Sequence, residues 1–298
     1  LIGLSSSNPS EGIPAVSSLV FTPLTWNTPR VVTVMGINDN LDDGDAPYTI
    51  ITSPATSADA RYQGLDPADV AVVNTNDDVA GVAITPTSGL TTTEAGATAT
   101  FSVRLTTQPA SDVSIALSSN NLNEGTISTP SLVFTPTNWN VSQVVTVTGV
   151  NDDVDDGDAS YSIVLAAAVS SDPKYNGLTA PRVNVVNTDD DAAGFTLTPA
   201  SGLITTEAGA TATFTVRLNS RPLSNVSIGL SSSRTAEGTV APASLLFAPA
   251  NWNLPQTVTV TGVNDDVDDG DTAYSILTAA AVSSDPRYSG LNPPDVAV

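Results

Sequence analysis

The sequence predicts an all-β chain of tandem sandwich domains, and three observations predict it. Apolar and polar residues alternate with a period of two through one short run after another. Trp26, Trp139 and Trp252 stand 113 residues apart in the matching words FTPLTWN, FTPTNWN and FAPANWN. Thr, Ser, Val, Ala and Gly dominate, with 20 Gly and 21 Pro as punctuation, a composition that favours strands and turns over helices. A period this long marks repeated whole domains rather than a solenoid of short units.

The repeat aligns without a gap between its second and third copies. Residues 88–99 and 201–212 differ only where Thr91 stands against Ile204. Ile2-Gly3-Leu4 matches Ile115-Ala116-Leu117, so the first copy is expected to lack its opening strands. Asp295-Val296-Ala297-Val298 matches Asp69-Val70-Ala71-Val72, so the third stops before its closing acidic tract. The sequence therefore divides at 1–79, 80–192 and 193–298, and reads as a window on a longer polypeptide.

The strands of the middle copy follow in order. Val82–Thr85 opens it. Ala97, Ala99, Phe101, Val103 and Leu105 alternate with Thr98, Thr100, Ser102 and Arg104, the mark of a half-buried strand. Val113, Ile115 and Leu117 repeat the pattern, then Leu132 and Phe134, Val145 and Val147, Tyr161, Ile163 and Leu165, and lastly Val183 and Val185. About seven short antiparallel strands within one period, separated by Gly, Pro, Asn and Asp turns, are the signature of an Ig-like Greek-key β-sandwich.

Composition narrows the chemistry. The chain has no Cys and no His, which removes thiol catalysis, the usual zinc sites, serine–histidine triads and disulfide staples. There is no run of about 18 apolar residues, so no membrane insertion is expected in this segment. Against 31 Asp and Glu stand 9 Lys and Arg, a formal charge of −22 that argues against nucleic acid and anionic membranes and for divalent cations. Scattered acids would serve solubility alone, but here they are concentrated.

Three acidic positions recur. The first is Glu94, with Glu207 in the third copy, in the word TTEAGATAT just ahead of a strand. The second is Glu124, with Glu11 and Glu237, in an EGT turn after the third strand. The third is the loop NDDVDDGD at 151–158, carrying Asp152, Asp153, Asp155, Asp156 and Asp158. Its counterparts carry Asp39, Asp42, Asp43 and Asp45 in the first copy, and Asp265, Asp266, Asp268, Asp269 and Asp271 in the third. A further tract, Asp189-Asp190-Asp191, follows the last strand, with Asp77 and Asp78 in the first copy. In a seven-stranded sandwich these elements can meet at one pole. Five acids in eight residues repel one another unless a cation neutralises them. Calcium, which takes six to eight oxygens and tolerates irregular loops, suits the set better than magnesium, with its strict octahedron.

The loop is not an EF-hand, because Val154 and Ile163 stand where that motif wants an acid or Asn and a bidentate Glu. The words EAGATATFSVRL, DDVDDGD and VVNTDDD resemble the Calx-beta domain, found in sodium–calcium exchangers, integrin β4 and very large bacterial surface proteins. The resemblance covers nearly the whole chain, as two copies and a partial third. It implies a sandwich with calcium at one pole, and Glu94, Glu124, Asp152, Asp155, Asp158, Asp189, Asp190 and Asp191 as ligands. The loop departs from the family by ending in DDGD where the calcium-binding exchangers are Glu-rich.

Two further features stand outside the acids. The Trp of each NWN word reads as a plug for the end of the sandwich rather than a sugar platform. Ser-Asp-Pro-Lys-Tyr-Asn-Gly-Leu at 171–178, with its cousins SADARYQGL and SSDPRYSGL, reads as a structured loop with a local ion pair. Sequons stand at Asn140 and Asn225. Paired carboxylates serve glycosidases, but those need one cleft, not the same cluster in each repeat, so no enzyme is expected. The expected function is a calcium-stabilised extracellular stalk or filament of a bacterial surface or secreted protein, whose partners are its own neighbouring repeats and other copies in a filament. A calcium sensor acting on a partner, or a glycan- or ice-binding module on the Thr-rich strands, are the alternatives.

Overall fold

The computed structural model describes residues 1–264, 267 and 270–298, and among them every regular element is a strand. The first repeat supplies β1 (Ile2–Ser6), β2 (Gly12–Pro14), β3 (Ser18–Leu19), β4 (Val34–Gly36), β5 (Ala46–Thr52) and β6 (Val70–Asn74). The middle repeat supplies β7 (Val82–Thr85), β8 (Leu90–Thr93), β9 (Thr98–Leu105), β10 (Val113–Ser119), β11 (Gly125–Ile127), β12 (Ser131–Phe134), β13 (Gln143–Gly149), β14 (Ala159–Leu165), β15 (Val169–Ser170) and β16 (Val183–Thr188). The third supplies β17 (Phe195–Thr198), β18 (Thr211–Leu218), β19 (Val226–Ser232), β20 (Gly238–Ala241), β21 (Ser244–Phe247), β22 (Gln256–Gly262), β23 (Ser275–Thr278), β24 (Val282–Ser283) and β25 (Val296–Ala297).

In the middle repeat one sheet runs β11-β13-β9-β7 and the other β12-β10-β14-β16-β8, an Ig-like Greek-key sandwich. The alternation in sequence becomes the core. Phe101, Val103 and Leu105 of β9 face Ile115, Ile163 and Val185 of the opposite sheet in one buried cluster. The third repeat forms the same cluster from Phe214, Val216, Leu218, Ile228 and Ile276. The first repeat has no counterpart of β7–β9, and its buried core is Leu4, Tyr48 and Ile50. Its Trp26 is accordingly 65% exposed, whereas Trp139 and Trp252 pack against their cores.

One element departs from the sequence reading in a way that builds the site. The sequence predicts no strand between Val82–Thr85 and the run ending at Leu105, and the structure has one there, β8. Gly89, at φ +76°, turns the chain out of the first sheet, and β8 then pairs in parallel with β16 of the second. LTTT carries no apolar alternation, so periodicity gave no sign of this strand. The register Thr93↔Thr188 brings the residue after β8 beside the residues after β16, and the Glu94 amide donates to the Thr188 carbonyl at 3.0 Å.

Candidate metal centre

Three strand ends meet at the acidic pole of the middle repeat. β13 ends on Gly149, where an added Cβ would stand 2.2 Å from the Thr93 carbonyl oxygen and 2.5 Å from Asn187 Oδ1. Only glycine allows so close an approach. Asn187, the penultimate residue of β16, is buried and organises the floor of the pole. Its Nδ2 donates to Glu124 Oε2 (3.3 Å) and to the Val150 carbonyl (3.1 Å), and its Oδ1 accepts from Thr92 Oγ1 (2.9 Å). Asn74 does the same in the first repeat, donating to Glu11 Oε2 at 3.2 Å and to the Ile37 carbonyl at 3.0 Å. These asparagines were absent from the sequence-derived ligand set. Their signal was the repeated word VVNT, a polar residue interrupting an apolar strand end.

Two groups of carboxylates converge. Glu94, Asp190 and Asp191 each place a carboxylate oxygen within 4.8 Å of the others, and so do Glu11, Asp39 and Asp43 of the first repeat. Asp39 and Asp43 are the counterparts of Asp152 and Asp156, and Glu11 of Glu124. Glu94 is only 4% exposed, and its Oε2 is buried without a hydrogen-bond partner. Glu11 and Glu124 are buried as well. Around Glu11 an open cleft of about 260 Å³ is also lined by Asn38, Asp77 and Asp78.

The electrostatics follow from burial among like charges. Burial pushes Glu94 from an ordinary 4.5 to about 7; the Asp190 amide opposes the shift, and the charges of Asp189, Asp152 and Asp156 add to it. Burial raises Asp156, reinforced by Asp152 and Asp189 against a counteracting Arg287. Asp191 is raised by burial and then by Asp153, Asp189 and Asp190. Asp78 is raised by burial and then by Asp77, Asp39, Asp42 and Asp43. In each of these groups desolvation and neighbouring carboxylates favour the protonated form.

The remaining acids make hydrogen bonds and ion pairs around the pole. Asp189 ties the exit tract to the loop, accepting from the amides of Gly157 (2.6 Å) and Asp191 (2.8 Å). Asp158 accepts from the Asp189 amide at 3.2 Å, and Asp45 from the Asn76 amide at 3.1 Å. Asp152 caps its own loop through the Val154 amide at 2.6 Å. Asp153 is exposed. Asp42 and Asp155 turn to the following repeat: Asp42 meets Lys174 Nζ at 2.5 Å and Asp155 meets Arg287 Nε at 3.3 Å. The Lys174 hydrogen bond, with that of the Ala80 amide, holds Asp42 below the ordinary aspartate range.

The basic residue of the SDPKY loop therefore pairs across the junction, not within its own loop as the sequence suggested. Asp172 instead accepts from the amides of Ala110 (2.7 Å) and Lys174 (2.9 Å). A short side chain two residues from the cation satisfies nearby backbone more readily than it reaches a long ammonium arm.

In the third repeat Glu207 is exposed, and Glu237 and Asp271 line a wide open cleft with it. Asp265, Asp266, Asp268 and Asp269 lie outside the described residues.

No family model matches the sequence, and no curated protein matches it. Among solved structures, the chain is similar to the crystal structure of CBD12 from CALX1.2 at 18% identity and a TM-score of 0.29, over 69% of this chain and 82% of that one. The apo-form Calx CBD1 domain matches at 18% identity and a TM-score of 0.31, over 38% of this chain and 100% of that one. Domains 4–9 of the surface layer protein SbsC match at 12% identity and a TM-score of 0.30, over 100% of this chain and 38% of that one. Likenesses at this level add nothing to what the strands and side chains themselves show.

Proposed function

We propose that this chain is a calcium-stabilised structural region, a stalk or filament of Calx-beta-like sandwiches, in a large extracellular bacterial surface or secreted protein. The observation that carries the reading is Glu94 Oε2, buried without a partner and grouped with Asp190 and Asp191. A buried carboxylate oxygen left unsatisfied costs about 1–3 kcal/mol or more, so a group of this kind calls for a cation. The donors are all oxygen, as hard divalent ions require. Glu94, Asp190 and Asp191 would hold an ion in the middle repeat, and Glu11, Asp39 and Asp43 in the first. The bound ion would supply positive charge and accept mono- or bidentate carboxylates. The protein supplies the rest: Asn187 orients Glu124 and Asn74 orients Glu11, and Asp189 locks the exit tract to the loop.

Ions that bind only the folded state stabilise it by mass action, about 2.7 kcal/mol per site at a hundredfold excess over Kd. In a chain without cysteine this takes the place that disulfides hold in many secreted domains. No catalytic role is part of the proposal, since an acidic pole recurs repeat by repeat instead of forming one substrate cleft. Calorimetric titration of the chelator-treated chain with calcium tests it. Heat of binding saturating at a small whole number of ions, with weaker binding of magnesium, is the expected result; no calcium binding up to several millimolar would sink the reading.

A further inference from the structure

The acidic loop carries contacts that a metal site does not call for, and they recur at both junctions. Asp42 Oδ2 accepts from the Ala80 amide at 3.0 Å while its Oδ1 takes Lys174. Asp155, 113 residues on, accepts from the Ala193 amide at 2.8 Å through Oδ2 while its Oδ1 takes Arg287. Two residues before each aspartate, a loop carbonyl accepts a backbone amide of the following repeat: Asn40 from Gln108 at 2.7 Å, and Asp153 from Arg221 at 2.5 Å.

Between Asp153 and Asp155 lies an apolar residue, Val154, which is only 4% exposed. Gly157, at φ +82°, leaves room for the incoming cation, since an added Cβ would stand 2.7 Å from Arg287 Nη2.

The cation arrives on a loop held still by its own repeat. Asp285 is buried, accepting from the amides of Leu223 (2.7 Å) and Arg287 (2.9 Å). Tyr288 is buried, with its hydroxyl donating to the Ser220 carbonyl at 2.7 Å and accepting from the Ser220 amide at 3.0 Å. Asp172 and Tyr175 fix the Lys174 loop in the same way. In the first repeat the Arg61 amide donates to Asp59 at 2.9 Å, the same turn with an exposed arginine in the cation's place.

We propose that the loop is a joint as well as a metal site, with Asp42 and Asp155 acting as clasps rather than metal ligands. The outer flank of the loop is a docking surface for a following repeat of the same kind, one with Lys or Arg two residues after the buried Asp of its SDPKY-type loop. The inner flank, whose Asp152 and Asp156 charges act on Glu94, is left to the ion. The clasp needs no ion, so repeat-to-repeat orientation is set before calcium binds. It therefore stands apart from the calcium reading.

The test places nitroxide labels on the otherwise cysteine-free full chain through Ser118→Cys and Ser231→Cys, and reads the distance between repeats by pulsed dipolar spectroscopy in chelator and in calcium. The parent is expected to give one narrow distribution in both. Asp155→Asn and Arg287→Gln should each widen it at least about twofold, and Asp155→Arg combined with Arg287→Asp should narrow it again. Titration calorimetry of Asp155→Asn should find as many calcium ions as in the parent. The proposal is overturned if the width ignores both single substitutions, if the parent is narrow only in calcium, or if Asp155→Asn loses an ion. A parent that binds no calcium would defeat the calcium reading alone, and the chelator measurements would still decide the clasp.

Discussion

Glu94 shows how one buried atom sets the chemistry of a pole. Its carboxyl is held near 7 by burial and by surrounding aspartates, with Oε2 unpartnered. Without metal, an acid whose folded value lies above its unfolded value contributes stability that is fully present below about 4.5 and lost as pH rises through about 7. Asp156 and Asp191 shift in the same direction. The metal-free chain should therefore melt at a lower temperature at pH 8 than at pH 5, and saturating calcium should shrink that difference. Calcium affinity should also rise with pH up to about 7, with proton release on binding. Thermal melts at the two pH values, with and without chelator, check the first claim. Titrations in buffers of different ionisation heat check the second.

The substitution Glu94→Gln separates cost from use. In chelator at pH 8 it should stabilise the chain by about 1–3 kcal/mol, because a neutral amide replaces a buried charge. In calcium it should weaken binding by about tenfold or more, which is about 1.4 kcal/mol. Urea denaturation under both conditions reads the two signs. Equal destabilisation in both would assign Glu94 a packing role and no ion.

Among elements, β8 and β16 carry most of the positioning. Their parallel pairing sets Glu94 beside the exit tract, and Asn187 at the end of β16 props Glu124 from below. Asn187→Ala removes the donor to the Val150 carbonyl and frees Glu124, while the Thr92 hydroxyl keeps the Tyr161 hydroxyl. It should cost about 1–3 kcal/mol in chelator and weaken calcium binding by about 10–100-fold. Denaturation and titration of the same sample would show whether both losses occur together.

Much at this scale was legible in the sequence. Alternation in Ala97–Leu105 and Val113–Leu117 named the core strands, because a period of two has one structural meaning when one face is buried. The recurrence of Glu94, Glu124 and the NDDVDDGD loop named the acidic pole. Periodicity could not find β8, since LTTT has no apolar face. Nor could composition divide the labour within the loop. Asp152, Asp155 and Asp156 are chemically identical, and only the backbone direction at each decides whether its carboxylate faces the cluster or the next repeat. Asn187 escaped because a neutral amide carries no charge to draw notice, although its role depends on donating to one carboxylate and one carbonyl at once.

At the scale of the whole molecule, the question is how a chain with a net charge of −22 holds its repeats together end to end. Its 9 basic residues are too few to neutralise the acids one for one, yet Lys174 and Arg287 are placed at the two junctions. A half-exposed ion pair is worth only about 0.2–1 kcal/mol. The junction gains more from combination: a clasped linker amide and a backbone hydrogen bond act with the pair. Calcium and the clasp should then contribute differently. Chelation should lower the melting temperature of the middle repeat by several degrees, as loss of about 1–3 kcal/mol does in a domain of this size. It should leave the repeat-to-repeat arrangement largely in place at low salt. Raising ionic strength in chelator shortens the screening length from about 10 Å at 0.1 M to about 3 Å at 1 M, and should loosen the exposed half of each clasp. Small-angle scattering in chelator at low and high salt would read this as a broader set of shapes at high salt. Calcium at high salt should narrow it again in part, because ordering the inner flank of the loop also orders the outer flank. Scattering curves that respond to chelator but not to salt would place the whole stiffness of the chain in the metal.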